Sequence, residues 1–230
     1  IEAETLAGAV AAAGFGVQHH SQPSALSVTQ ATEAGTTYQP DEIAALAAIA
    51  HGAGLSVHMD GARFANALVH LGCSPGEATW KAGVDVLSFG ATKNGAMAAE
   101  AVVFFDMAAA EDFLYRRKRT GHLFSKMRFL SAQLVAYLRD GLWLGNARHA
   151  NARATELSQG LAALDGAHLA HQVQANEIFI YLPEAVLGAL ETGGVGFHRW
   201  GTDGQARFVC AFNTEPDDVA RALKIAQDAL

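Results

Sequence analysis

The 230-residue sequence is poor in cysteine, in basic charge and in long apolar runs. Its two cysteines, Cys73 and Cys210, lie far apart in apolar contexts, which argues against a disulfide framework. They read as reduced thiols acting as small hydrophobes, so a cytoplasmic protein is expected. Lys and Arg number 16 against 23 Asp and Glu, a formal charge of −7, and the pI is near 5.8. With no sustained basic block, neither nucleic acid nor an anionic membrane surface is expected as a partner. The one basic cluster, Arg116 to Arg119 followed by Lys126 and Arg128, reads either as a solvated helix face or as part of a site. No apolar run approaches the roughly 18 residues of a membrane span. The opening IEAETLAGAV has neither the charged region nor the apolar core of a secretory signal, and it has no methionine. Internal repeats, low-complexity segments and Pro/Ser-rich linkers are also missing, and no metal site is expected.

What is present is apolar: 50% of the residues are hydrophobic and mean hydropathy is +0.13, ample for a large core. The segments alternate in habit. Residues 2 to 14 read as a helix ending at Gly14, and 24 to 30 as a strand. Pro40, Asp41 and Glu42 open a helix that Gly52 or Gly54 closes. Strands follow at 55–59, 84–89 and 101–105, with a helix from ARFANALVHLG between the first two. Near-continuous apolar strands alternating with helices predict an α/β fold with a mostly parallel sheet covered on both faces. Sites in such sheets lie beyond the carboxyl ends of the strands. After residue 106 the segments are long, helical in period and rich in Ala, Leu and Arg; a smaller α+β module then closes the chain, its last helix opened by Glu215-Pro216-Asp217-Asp218. The expected division is 1–125 for a large α/β domain, 126–155 for connecting helices and 156–230 for a small C-terminal α+β domain.

Asp60 follows the strand at 55–59 and Lys93 the strand at 84–89, 33 residues later, a β-α-β spacing that makes neighbouring strand ends. On spacing alone, an acid and a lysine at loop starts are usually solvated or form a simple ion pair. Converging at one sheet edge, they suit pyridoxal 5'-phosphate: a lysine forms the imine, and a carboxylate keeps the ring nitrogen protonated and electron-withdrawing. A lysine must lose its proton to form that imine, so partial desolvation of Lys93 among apolar neighbours is expected.

Taken together, SVHMDGARFANALVHLG, AGVDVLSFGATKNGAMAAEAVVFF and FSKMRFLSAQ resemble the low-specificity L-threonine aldolases. These are pyridoxal-phosphate enzymes of fold type I, in the group that also holds the aromatic-amino-acid β-eliminating lyases. The pair H-x-D-G-A-R and S-F-G-A-T-K-N-G at this separation is far more specific than either motif alone. By that resemblance Lys93 is the Schiff-base lysine, Asp60 the partner of the ring nitrogen, and Arg63 and Arg207 a clamp for the substrate carboxylate, which a guanidinium fork reads bidentately. It also sets Arg128 near the cofactor phosphate, with Arg119 or Lys118 reaching toward a neighbouring subunit's phosphate. Ser88 and Thr92 either donate hydroxyls to the phosphate or serve packing and turns. The resemblance further implies a homodimer or homotetramer.

Two departures from the family pattern stand out. Thr32 and Glu33 fall where many relatives carry a histidine that helps deprotonate the substrate hydroxyl, which leaves the base unassigned; His19, His20 and His58 near strand ends read more readily as structural. Family members also carry an upstream segment with a glycine-rich phosphate cup and a residue stacked on the cofactor ring, so this chain reads as truncated. The implied activity is retro-aldol cleavage of L-threonine, L-allo-threonine or related β-hydroxy-α-amino acids such as phenylserine, to glycine and an aldehyde. The alternatives are a β-eliminating amino-acid lyase and a silent fragment that needs its missing part.

Overall fold

The computed structural model describes residues 1–201 and 203–230. The chain builds two sheets. The first has the order β1 (Ala25–Thr29), β2 (Ser56–Gly61), β3 (Val86–Gly90), β4 (Glu100–Phe104). β1, β2 and β3 run parallel and β4 is antiparallel to β3. The antiparallel turn arises because only a short turn, residues 91–99, joins β3 to β4, whereas parallel neighbours need a longer crossover.

Alternation along these strands sends Leu26, Val28, Val57, Met59, Leu87 and Phe89 to one face, where they are buried. That face is covered by α1 (Ala3–Ala12), α2 (Pro40–Gly52), α3 (Phe64–Leu71), Tyr137 of α5 (Arg128–Leu138) and Trp143 at the start of α6 (Leu142–Ala162). Each fully buried Ile, Leu or Phe here contributes roughly 1.5–3 kcal/mol. α2 starts where the sequence marks it. Pro40 occupies the first turn, Gln39 and Glu42 form a reciprocal capping box, and the Gln39 N–H donates to Glu42 Oε2 at 2.7 Å.

The other face is more lightly covered among the described residues. It meets α4 (Phe113–Arg119) through an edge-on contact of Phe104 with Phe113, rings 5.0 Å apart. Elsewhere Ser27, His58, Asp60, Ser88 and Val102 stay half-buried or exposed. Polar bonds hold this side: His58 bridges the three parallel strands, its Nδ1 2.8 Å from Ser27 Oγ and its Nε2 2.8 Å from Ser88 Oγ.

The second sheet is antiparallel throughout, in the order β5 (His168–Leu169), β6 (Glu177–Tyr181), β8 (Gln205–Val209), β7 (His198–Arg199). Ile178, Ile180, Ala206 and Phe208 pack with α6, α7 (Glu184–Thr192) and α8 (Pro216–Asp228) into a second core. The 21-residue α6, about 30 Å long at 1.5 Å per residue, serves both cores. Its Asn151 exchanges two hydrogen bonds of 2.9 Å with Asn66 of α3, and its Ala154, Leu157 and Leu161 belong to the second core.

Candidate active site

Asp60 lies inside β2 rather than after it, because pairing with β1 and β3 continues one register past Met59. It is paired with Thr29 on one side and Ser88 on the other, and shares its face with His58. The Ala62 N–H donates to Asp60 Oδ1 at 2.9 Å, and Oδ2 has no protein partner among the described residues. The turn at 60–62 presses on the end of β3. A Cβ on Gly90 would stand 2.8 Å from the Ala62 Cα, closer than real side chains come.

Lys93 sits in a 3-10 turn, Thr92–Asn94, just beyond β3. The turn is fastened from below. Asn94 is 3% exposed, and its Nδ2 donates to the Tyr137 hydroxyl at 2.6 Å and the Trp143 carbonyl at 2.9 Å. Its own carbonyl accepts from Asn146 Nδ2 at 2.9 Å. Gly95 has φ +116°, and a Cβ there would stand 2.7 Å from Asn146 Nδ2, so this turn needs glycine twice over. Lys93 itself is exposed, which corrects the expected desolvation: the turn lifts it clear of the sheet's apolar face. Its Nζ makes no hydrogen bond or ion pair among the described residues.

The two hydroxyls expected near a phosphate are engaged within the chain. Ser88 bonds His58, and Thr92 Oγ1 accepts the Ala99 N–H at 3.1 Å, bracing the 91–99 turn. Arg128 is exposed at the start of α5, its guanidinium 5.3 Å from the ring of its neighbour Phe129, with no bond to Asp60, Ser88 or Lys93. Arg119 and Lys118 lie in the exposed last turn of α4. His19 and His20 are exposed and precede β1, away from the carboxyl ends of the strands. Thr32 takes the N–H groups of Ala34 and Thr36 on its hydroxyl and organises the loop after β1.

Arg63 and Arg207, 144 positions apart, are brought together by Glu177. Arg63 Nη2 lies 3.1 Å from Glu177 Oε1, and Arg207 Nη2 donates to the same oxygen. Burial, and behind it the charge of Arg207, pull Arg63 below its ordinary range, while Glu177, Glu33 and Asp60 oppose them. Arg207 also stands 5.8 Å from the ring centres of Phe179 and Trp200, a cation-π position. Glu177 was not legible as a site residue in the sequence; its signal is a lone acid in the apolar strand EIFIY, where a buried charge demands a cation.

Asp60 on β2 and Lys93 just beyond β3 thus lie at the ends of adjacent parallel strands, and Arg63, three residues after Asp60, joins Arg207 on Glu177. The beta-eliminating lyase family model matches residues 1–185. The chain belongs to that family. It is 49% identical over 210 residues to the low-specificity L-threonine aldolase of a Pseudomonas strain, and 48% identical to that of Pseudomonas aeruginosa. Each match covers 91% of this chain and 60% of the relative, so the chain spans about three fifths of those proteins. A threonine aldolase structure from Leishmania major superposes with a TM-score of 0.90 at 25% identity, covering 99% of this chain and 67% of that one. The fold is the fold-type-I architecture expected from the motifs.

Proposed function

We propose that the protein is a pyridoxal-phosphate-dependent carbon–carbon lyase that cleaves L-threonine or L-allo-threonine to glycine and acetaldehyde. One observation supports the reading: Asp60 and the Lys93 turn stand at the ends of neighbouring parallel strands, and Arg63, three residues after Asp60, shares Glu177 with Arg207 of the second sheet. The residues present fit the cofactor by their chemistry. Lys93 offers an uncommitted amine to its aldehyde, and Asp60 keeps one carboxylate oxygen free for a ring N–H.

When bound, the cofactor supplies an electron sink for the pair released as the Cα–Cβ bond breaks. The rest falls to the chain. Arg63 and Arg207 take the substrate carboxylate and fix the amino acid in one orientation, converting a diffusional encounter into an oriented one. The Asp60 carboxylate favours a protonated ring nitrogen by opposite charge. Ser88, bonded to His58, and Thr92, which accepts the Ala99 N–H, hold β3 and its turn in place.

The same reading includes assembly as a homodimer or homotetramer in the cytoplasm. In support, α4, α5 and the turn between them expose Tyr115, Phe124, Phe129 and Val135, a run of apolar side chains unusual on a solvated surface. The test is product analysis with the full-length protein and its cofactor. Glycine and acetaldehyde in equal amounts from L-threonine support the reading. 2-Oxobutanoate with ammonia, and no aldehyde, would replace it with β-elimination.

A further inference from the structure

Glu177 is completely buried, whereas the two arginines it holds are 12% and 17% exposed at the side chain. The carboxylate thus lies behind the guanidinium groups. Both arginines spend one Nη2 on the same oxygen, leaving their remaining N–H edges free of it. Glu177 Oε2 is buried with no partner among the described residues. The acid reaches this place because the loop after β1 grips the start of β6. The Thr37 N–H donates to Gln174 Oε1 at 2.8 Å, and Gly35 packs so closely on the Glu177 backbone that a Cβ would stand 2.9 Å from its carbonyl oxygen.

We propose that Glu177 is the positioning and charge-setting residue of the arginine pair. It holds Arg63 and Arg207 on one oxygen and cancels one of their two charges, so the pair presents one net positive charge and selects a monovalent carboxylate over a dianion. This rests on reading Arg63 and Arg207 as the substrate-carboxylate clamp. Without the acid, two adjacent guanidinium groups repel each other and form a divalent anion site. Asp60 and Glu33 act on Arg63 through space but hydrogen-bond neither arginine among the described residues.

The test uses the full-length holoenzyme, with acetate and malonate as probes. Their inhibition constants against L-threonine, and their dissociation constants from thermal-shift titrations, are measured for wild type, Glu177→Gln and Glu177→Asp. Glu184→Gln, on an exposed ion pair, serves as a control. In wild type and Glu177→Asp acetate binds at least as tightly as malonate; in Glu177→Gln the preference swings toward malonate by on the order of tenfold. Competition by both anions with a ratio unmoved in Glu177→Gln overturns the role of Glu177 alone. Failure of acetate to compete in wild type overturns the clamp reading and Glu177's role with it. If Glu177→Gln does not fold, the wild-type ratio decides: a tenfold or greater preference for malonate refutes the proposal.

Discussion

Replacing Asn94 with alanine tests the physical account of how the lysine turn is held. The side chain is 3% exposed and its amide satisfies two acceptors, the Tyr137 hydroxyl at 2.6 Å and the Trp143 carbonyl at 2.9 Å. Each such bond contributes roughly 0.5–1.5 kcal/mol net, and a buried acceptor left unpaired costs roughly 1–3 kcal/mol. The Tyr137 hydroxyl can turn toward another partner; the Trp143 carbonyl cannot. Asn94→Ala should therefore lose about 2–4 kcal/mol, one and a half to three orders of magnitude in the folded-to-unfolded ratio. Asn94→Asp keeps the shape but sets an oxygen against the Trp143 carbonyl, and should lose at least as much. Tyr137→Phe removes one acceptor and should lose about 1 kcal/mol, with a coupling of similar size in the double-mutant cycle. Urea unfolding followed by circular dichroism measures all four. An Asn94→Ala variant within about 0.5 kcal/mol of wild type, or a cycle with no coupling, refutes the reasoning.

Three further outcomes follow from the structure. Burial pushes the Cys210 thiol up to about 11, so at pH 8 it should resist alkylation until denaturant is added, as peptide mass mapping reads directly. Bonds from Arg199 hold Glu184 and Glu191 below the usual carboxylate range. Their stabilising contribution is present above the ordinary carboxylate value and lost as pH falls through the lowered ones, so Arg199→Gln should raise both in an NMR titration and flatten that part of the acid limb. Gly95→Ala meets both a positive φ and a 2.7 Å approach to Asn146, and should cost roughly 1–3 kcal/mol in the same unfolding assay.

Elements whose boundaries are written in side chains were legible in the sequence. The helix at Pro40 is marked by its proline with Asp41 and Glu42, and the last helix by Glu215-Pro216-Asp217-Asp218; in both the structure adds a capping box, Gln39 with Glu42 and Glu215 with Asp218. β2 was less so. Its apolar alternation stops at Met59, and what carries the strand on is backbone pairing, with β1 to Asp60 and with β3 to Gly61. That extension puts His58 and Asp60 on one face, a relation the pattern alone left open. The exposure of Lys93 was hidden for a related reason: small neighbours in SFGATKNG mimic a buried context, whereas Asn94, not the lysine, points inward. The family resemblance named the two arginines but not Glu177, whose place against them depends on how the loop at 32–37 seats the start of β6.

The most direct measurement of the central claim is chemical trapping. The full-length protein is mixed with pyridoxal phosphate, its visible absorption recorded, the adduct reduced with borohydride and the labelled peptide located by mass. The account predicts an absorption band and a label on Lys93, both lost in Lys93→Ala. A label on another lysine, or no label in protein that is folded and saturated with the cofactor, contradicts it.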